Sequence, residues 1–119
     1  MTTQIREAVL RYYETVDTGP PLDVVALFSH TGIYRRPGYP PMVGSEELLA
    51  FYGGGRVIAA GGHTIETVVV DGERAAVQGR FDGVLRDGKR VGLRFADFFC
   101  FDGSGLVAER DTYFDVPAV

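Results

Sequence analysis

The stretch RFDGVLRDGKRVGLRFADFFCFDGSGLVAERDTYFD, residues 80–115, decides the fold of this chain. It contains three runs rich in apolar and aromatic residues, separated by Asp87-Gly88 and by Asp102-Gly103-Ser104-Gly105. Asp and Gly readily adopt the left-handed backbone angles that hairpin turns require, so the stretch predicts three antiparallel strands. A further Asp-Gly pair, Asp71-Gly72, extends the same meander by one strand.

The pairing register assigns each strand residue to one of two faces, because side chains alternate along a strand. If Arg86 pairs with Lys89, and Phe101 with Leu106, Asp97 lies directly opposite Arg110. Buried charges are costly in a simple core and common in functional sites, so the charged face predicts a ligand cavity. This face carries Arg80, Asp82, Val84, Phe95, Asp97, Phe99, Arg110, Thr112 and Phe114.

Composition narrows the class of protein. A chain of 119 residues is long enough for one core, so we predict a single domain over residues 1–119. The net charge is -4 without a basic cluster, which argues against nucleic-acid binding. No apolar run reaches the roughly 18 residues of a membrane span, so we expect a cytoplasmic protein without membrane contact. Two distant histidines and one cysteine predict no metal site and no cofactor.

The N-terminal half predicts helices. Apolar residues at helical spacing mark a first helix, a second covers residues 22–28, and Ser45 caps a third over residues 45–52. Together with the meander they predict an α+β fold, with three N-terminal helices packed on a curved, mostly antiparallel sheet.

The outer sheet face is also apolar, and an apolar face of this size predicts a homodimer. In the assumed register this face carries Val68, Val70, Val77, Phe81, Ala96, Phe98, Cys100 and Tyr113.

Candidate site residues also come from outside the hairpins. If the preceding strand turns at Asp71-Gly72, His63 lies opposite Arg80, either as a base near pH 7 or as a rim residue bonded to Asp82. Arg36 either lines the cavity entrance, where a guanidinium would bind an anionic or carbonyl-bearing ligand, or lies in a solvated loop. The predicted substrate-binding residues are Tyr34, Arg36, Phe95, Phe99, Arg110, Thr112 and Phe114.

The charged pairs have two interpretations each. Asp97 is either the ion-pair partner of Arg110 or a general acid for a substrate. Its aromatic neighbours favour the protonated acid, whereas Arg110 favours the carboxylate, and we expect the ionised form in the empty protein. Arg80 and Asp82 either act in catalysis or neutralise each other at the cavity mouth.

The run DFFCFDGSGLV, residues 97–107, resembles the penultimate hairpin of the ketosteroid isomerases, within the NTF2-like (SnoaL-like) superfamily of cone-shaped α+β domains. Arg11-Tyr12, residues 22–28, Pro37 and Phe51-Tyr52 fall at matching places. The resemblance implies that Tyr12 and Asp97 correspond to the tyrosine and the protonated aspartic acid of the isomerase oxyanion hole. Arg36 stands where those isomerases carry their general base, and an arginine cannot take up a proton near neutral pH.

A second resemblance concerns Arg80-Phe81-Asp82, which is similar to the Arg-x-Asp of the limonene-epoxide-hydrolase type. There the arginine orients carboxylates and the aspartate donates a proton to the epoxide oxygen. The second aspartate of that family falls at Thr112 in a gap-free match, and at Asp111 after a one-residue shift.

The sequence therefore predicts cofactor-independent acid-base chemistry on a hydrophobic small molecule, of isomerase, cyclase or epoxide-hydrolase type. Asp82 or Asp97 would donate or take the proton, helped by His63. Tyr12 would stabilise negative charge on oxygen, and Arg80 completes the predicted catalytic set. The alternative is a non-catalytic ligand-binding or dimerisation module with a small or filled cavity and short ion pairs. A third hypothesis, a platform for partner proteins, requires a large exposed apolar patch.

Overall fold

The computed structural model describes residues 2–117, and within them the chain forms three helices and six strands. Met1, Ala118 and Val119 lie outside the described residues. The helices are α1 (Thr2–Thr18), α2 (Pro21–Val25) and α3 (Gly44–Ala50), and one π-helical turn, Phe51–Gly55, follows α3. The strands are β1 (Phe28–Arg35), β2 (Met42–Val43), β3 (Ile58–Asp71), β4 (Arg74–Leu85), β5 (Arg90–Phe101) and β6 (Val107–Phe114).

The strands form one curved sheet in the order β2-β1-β6-β5-β4-β3. Neighbouring strands are antiparallel except β1 and β6, which are parallel. The predicted α+β class with a curved, mostly antiparallel sheet is therefore confirmed. The helix arrangement differs from the prediction, because only α1 and α2 precede the first strand and α3 follows β2. No helix in residues 2–117 combines the length and the apolar character that crossing a bilayer demands.

Helix α1 packs its apolar stripe against the concave face of the sheet. Val9 and Tyr12 are completely buried, and Ile5, Tyr13 and Val16 are buried beside them. Their spacing of three and four residues places them on one side of the helix, as the sequence predicts. Each such side chain contributes about 1.5–3 kcal/mol when it leaves water, so this stripe fixes α1 over the sheet.

The turn between β4 and β5 differs from the prediction and changes which residues face inward. The Leu85 N–H donates to the Lys89 carbonyl at 2.8 Å, so the loop contains three residues, 86–88. Gly88 has a φ of 88°, the left-handed conformation that closes such a loop. The predicted pairing of Arg86 with Lys89 is therefore wrong by one position, and a one-residue slip exchanges the two faces of a strand.

The observed register places Arg80 opposite Arg94, and Asp82 opposite Gly92, on the outer face. Asp97 lies opposite Val77 on the inner face. The prediction that Arg80 and Asp82 share a face with Asp97 is therefore wrong. Val84 joins them outside, opposite the exposed Arg90.

The β5–β6 hairpin is also longer than predicted, but its faces are as expected. Asp97 lies opposite Thr112, and Arg110 opposite Phe99, so the predicted pairing of Asp97 with Arg110 is wrong by two positions. Because side chains repeat every two residues, Arg110 and Thr112 still face inward beside Asp97. Both are buried.

The outer face is less apolar than predicted. Val68, Val70, Val77 and Phe81 lie inside or pack against the core, because β3 and β4 follow the corrected register. Exposed apolar side chains remain on three strands of this face: Val69 (β3), Phe98 (β5) and Tyr113 (β6). The rings of Phe98 and Tyr113 contact each other edge to face, with centroids 5.9 Å apart.

Three glycines on the inner face leave space for aromatic rings. A Cβ on Gly61 or Gly83 would lie 2.4 Å or 2.6 Å from the Phe81 ring. A Cβ on Gly79 would lie 2.2 Å from a backbone oxygen and 3.1 Å from the Phe95 ring. These strands can pass under the two rings only because glycine has no side chain.

Candidate active site

An internal cavity lies between α1, the turn after α3 and the concave face of the sheet. Its volume is about 20 Å³, which is room for about one water molecule. The apolar part of its lining consists of Val16, Ile58, Phe81, Phe95 and Phe114, and the polar part of Tyr34, Arg36, Tyr52, Arg56, His63, Arg110 and Thr112. Apolar walls with a few convergent polar groups are typical of small-molecule sites.

His63 is held in the cavity wall by Asp17, in the last turn of α1. Its backbone N–H donates to Asp17 Oδ2 at 2.9 Å, and its Nδ1 lies 2.6 Å from Oδ1. A carboxylate only accepts hydrogen bonds, so Nδ1 carries the proton in neutral His63 and Nε2 carries a lone pair. The ring centroids of Tyr13, Phe81 and Phe95 lie within 5.3 Å of the imidazole centroid. This geometry is that of an oriented general base.

Asp97 is completely buried and makes no contribution to the cavity lining. Its carboxylate accepts hydrogen bonds from Tyr13 Oη and Thr112 Oγ1, and from Arg110 Nη2 at 2.8 Å. A buried carboxylate needs this number of donors, because its charge is otherwise strongly destabilised away from water. The contacts match the interpretation of Asp97 as the ion-pair partner of Arg110.

Arg110 joins this ion pair to the cavity. Its Nη1 donates to Tyr12 Oη at 2.7 Å and to Tyr52 Oη at 3.3 Å, and these two hydroxyls also bond each other. Burial alone would lower the pKa of Arg110, but the Asp97 carboxylate raises it well above its usual value. Arg110 is therefore a permanent cation. Its Nε–H has no hydrogen-bond partner within residues 2–117.

Arg36 is the second buried guanidinium of the cavity, with 8% of its surface exposed. Its Cζ lies 5.1–5.4 Å from the ring centroids of Tyr39, Phe51 and Phe114, so aromatic faces surround the cation. Nε and Nη2 make no hydrogen bond with any group in the described part of the chain. The structure places Arg36 in the cavity lining and not in a solvated loop.

Arg56 lies between the cavity and the outside. It follows Gly53-Gly54-Gly55, and its Cζ is 5.6 Å from the Tyr52 ring centroid. Together with Val16, Tyr52 and Ile58 it lines both the cavity and an adjoining surface depression of about 200 Å³. Arg56 has the longest and most flexible side chain of these four residues, so we expect its movement to join the two spaces.

Arg80 and Asp82 lie away from this site. Their side chains are 47% and 64% exposed on the outer face, with Arg80 Nη2 3.6 Å from Asp82 Oδ1. An ion pair in this environment contributes little to stability. The structure therefore separates the Arg-x-Asp pair from the cavity, contrary to the prediction that it belongs to the charged inner face.

The comparison with protein families decides the classification. The SnoaL-like domain family matches residues 9–110, which is most of the chain. The chain belongs to the SnoaL-like domain family. Its resemblance to NTF2-like and ketosteroid isomerase-like domains is thereby confirmed. No curated protein matches this SnoaL-like domain.

Solved structures similar to the SnoaL-like domain share its fold. One, from Jannaschia sp. CCS1, is designated a SnoaL-like polyketide cyclase; it is 23% identical over 96% of this chain and 87% of its own, with a TM-score of 0.79. SalBIII, described as an epoxide hydrolase/cyclase-like enzyme in pyran ring formation, is 16% identical over 96% and 92%, with a TM-score of 0.85. An NTF2-like protein from Burkholderia pseudomallei K96243 is 20% identical over 94% and 91%, with a TM-score of 0.82.

The structure brings together most of the residues that the sequence predicts for the site of this SnoaL-like domain. The cavity lining includes His63 and the predicted binding residues Tyr34, Arg36, Phe95, Arg110, Thr112 and Phe114. Tyr12, Asp97 and Phe99 are buried behind this lining. Tyr12 Oη is occupied by Tyr52 and Arg110, so it has no free approach to a ligand in this arrangement.

Sequence reasoning missed Asp17, Tyr13, Tyr52 and Arg56 as members of the site. A signal for Asp17 exists, because it follows Tyr13 by four residues and therefore lies on the same side of α1. Its contact with His63 joins residues 46 positions apart, which no local pattern predicts. Arg56 follows a run of three glycines that indicates only the end of a helix.

The buried phenols predict a loss of stability in alkaline solution. Burial raises the pKa of Tyr52 to about 12, and burial raises those of Tyr12 and Tyr13 well above the usual value, with Asp97 adding to the effect on Tyr13. Below about pH 10 both folded and unfolded states keep these protons; above it the unfolded state loses them first, so stability falls as pH rises. For Tyr52 the loss of stability reaches about 2 kcal/mol at pH 12.

Absorbance of phenolate and circular dichroism, recorded together from pH 8 to pH 12.5 (roughly 2 units on each side of the usual tyrosine pKa), test this expectation. We expect part of the phenolate signal to appear only as the dichroism is lost. The variant Tyr52→Phe removes one buried phenol whose ionisation favours the unfolded state. We therefore expect this variant to unfold at a higher pH than the wild type. Complete ionisation of all tyrosines before any change in dichroism would contradict the prediction.

Proposed function

We propose that this SnoaL-like domain catalyses cofactor-independent proton transfer on a hydrophobic, carbonyl-bearing small molecule, with His63 as the general base. One observation carries the proposal: His63 is fixed by two hydrogen bonds that it donates to Asp17, and its ring lines a cavity that is also lined by Arg110, whose Nε–H has no partner within residues 2–117. Base and oxyanion donor on one apolar cavity are the groups that proton abstraction next to a carbonyl requires.

In the proposed step, His63 Nε2 takes a proton from the carbon beside the carbonyl. The electron pair moves onto the carbonyl oxygen, where the Arg110 Nε–H donates a hydrogen bond to the developing charge. Asp17 stabilises the imidazolium through Nδ1–H. The imidazolium then returns the proton to a different atom of the substrate. Alternatively, the enolate carbon attacks a second carbonyl group, and the imidazolium gives its proton to the alkoxide that forms there. Isomerisation and ring closure are the two corresponding outcomes.

The relatives support this reaction class at a coarse level, since two of them are designated a polyketide cyclase and an epoxide hydrolase/cyclase-like enzyme. The apolar rings of Phe81, Phe95 and Phe114 favour a polyketide, terpenoid or steroid-like substrate. A molecule of that size needs both the cavity and the adjoining depression, and therefore needs Arg56 to move.

Exchange of substrate hydrogen with solvent deuterium tests the proposal. A panel of apolar ketones, enones and β-keto esters, first screened by thermal stabilisation of the protein, is incubated in deuterated buffer and followed by NMR. We expect enzyme-dependent exchange at the carbon beside the carbonyl for at least one class. Exchange at the wild-type rate in His63→Gln, or no exchange in any class, would contradict the proposal.

The competing hypothesis is a non-catalytic binding module. The small cavity and the short Asp97–Arg110 contact favour it, because both were expected of such a module. The free Nε–H of Arg110 and the oriented His63 favour catalysis, since a filled core leaves no unpartnered donor. Ligand binding without any hydrogen exchange in the panel would support the module.

The outer face supports the proposal of a homodimer. Phe98 and Tyr113 are 52% and 55% exposed and contact each other, and an aromatic pair of this kind usually packs against a partner. We expect Phe98→Lys to weaken dimerisation at least about tenfold in sedimentation velocity. Leu22→Lys removes an exposed apolar side chain from α2 instead of from the outer sheet face, and serves as the control. A wild-type protein that sediments only as a monomer at high micromolar concentration would contradict the proposal.

A further inference from the structure

The cavity carries more positive than negative charge. Its lining contains the three guanidinium groups of Arg36, Arg56 and Arg110. The carboxylates that contact the lining from behind are Asp97, on Arg110, and Asp17, on His63. No carboxylate within residues 2–117 lies within 4.0 Å of Arg36 or Arg56. Three guanidinium groups against two carboxylates leave one positive charge unmatched while His63 is neutral.

Arg36 and Arg56 are the two guanidinium groups of the lining without a carboxylate neighbour, and Arg36 is the one with two unpartnered nitrogens. Nε and Nη2 lie on one edge of the planar guanidinium, so their N–H bonds are parallel and can be accepted together by two oxygens of one group. Both nitrogens are buried and have no partner among the residues that the structure describes. Tyr39, Phe51 and Phe114 surround the guanidinium and limit its rotation. A buried donor without a partner is rare in proteins and requires an explanation.

We propose that the cavity binds the carboxylate group of a small molecule, held by two parallel hydrogen bonds from Arg36 Nε and Nη2. A carboxylate supplies two coplanar oxygens at the spacing of this edge. Its single charge matches the one unmatched charge of the cavity, whereas a phosphate dianion would exceed it. The neighbours at Arg36 are flat rings, which suit a planar head group.

The inference rests on the proposed function in one respect: the ligand bound here is also the substrate of His63. The substrate is then an apolar oxo acid, with its carboxylate at Arg36 and its carbonyl oxygen at Arg110. Arg36 and Arg110 both line the cavity, so one short molecule would contact both once movement of Arg56 enlarges the cavity. The carboxylate would anchor the substrate, and the reacting carbon would lie between the anchor and His63.

Binding of matched acids and amides tests the proposal on the wild-type protein. Acetate, phenylacetate and 3-phenylpropanoate are compared with acetamide, phenylacetamide and 3-phenylpropanamide by calorimetry. We expect at least one acid to bind at least about tenfold more tightly than its amide, because an arginine donates charge-assisted bonds to the acid only. We also expect that acid to shift the Nε–H resonance of Arg36 in nitrogen-15 NMR spectra. Equal affinity for acids and amides, or no binding of any acid, overturns the proposal.

Variants of Arg36 distinguish binding by two parallel donors from binding by positive charge alone. Arg36→Lys keeps the cation but loses the parallel donors, and we expect at least about tenfold weaker binding of the acid. Arg35→Lys is the matched control, because Arg35 is exposed and pairs with Glu109 and Asp111 on the outer face. Unchanged affinity in Arg36→Lys overturns the assignment of the site to Arg36. If Arg36→Lys does not fold, the proposal is tested by two measurements on the wild type: the ratio of acid affinity to amide affinity, and the shift of the Arg36 Nε–H resonance.

The variant His63→Gln distinguishes failure of this inference from failure of the proposed function. It should keep the preference for acids and lose hydrogen exchange. Exchange that depends on His63 without any preference for acids would overturn the carboxylate site alone. Preference for acids with exchange that is independent of His63 would overturn the proposed function alone.

Discussion

Replacing Asp97 with asparagine is expected to lower the free energy of unfolding by about 3–5 kcal/mol. The substitution keeps the size of the side chain and removes its charge. Arg110, 4% exposed, would then remain as a buried cation without a carboxylate. The Tyr13 and Thr112 hydroxyls, which now donate to Asp97, would have a weaker acceptor. Because a domain of this size is stable by only about 5–15 kcal/mol, the loss is large.

Urea unfolding followed by circular dichroism measures this change, with Asp82→Asn as the matched control. Asp82 also pairs with an arginine, but its side chain is 64% exposed, so we expect a change within about 0.5 kcal/mol. Equal effects of the two substitutions would show that the Asp97–Arg110 pair does not stabilise the fold. A double variant Asp97→Leu with Arg110→Met should recover part of the stability, because no unpaired charge remains.

Replacing His63 with glutamine is expected to reduce the rate of substrate proton transfer by about 10²–10⁴-fold, with little change in substrate affinity. Glutamine can hydrogen-bond but cannot take up a proton near pH 7. His30→Gln is the matched control, because His30 is exposed on β1, away from the cavity lining, and should leave the rate unchanged. A loss in kcat/KM that lies entirely in KM would contradict a role for His63 as base.

Asp17→Asn tests the orientation of the imidazole. An asparagine amide can donate to Nδ1, which would move the ring proton to Nε2 and remove the lone pair from the cavity side. We expect a similar loss of rate and a change of tautomer in nitrogen-15 spectra of His63, from protonated Nδ1 to protonated Nε2. The wild type with its proton on Nε2 would contradict the arrangement described for this pair.

The sequence identifies the elements of this fold better than the register of its strands. Asp87-Gly88 indicates a hairpin correctly, but the same two residues fit a two-residue and a three-residue loop. The difference moves Arg80 and Asp82 from the inner to the outer face. In the next hairpin the error is two residues, so Arg110 and Thr112 keep their predicted face. Loop length is decided by packing across the whole sheet, which local sequence does not contain.

The sequence likewise predicts individual residues of the candidate site better than the contacts between them. Strand alternation predicts Arg110 as a member of this site, and family resemblance draws attention to Arg36. His63 also lies in the site, but the predicted pairing of His63 with Arg80 is wrong, because His63 lies opposite Phe81. The contacts that give them chemistry come from other elements: Asp17 from α1, and the rings of Tyr39 and Phe51 from segments on either side of α3. These are tertiary contacts between distant positions, so the sequence alone predicts neither the base's partner nor the enclosure of Arg36.

The glycines beneath Phe81 and Phe95 have a consequence for the whole architecture. The rings of Phe81 and Phe95 lie over glycine positions of β3 and β4 and form part of the cavity wall, so their size limits its volume. Chains of this kind with alanine or leucine at those two positions would admit a bulkier guest while the hydrogen-bonding groups stay where they are. Guest size and reaction chemistry can therefore vary independently in this architecture.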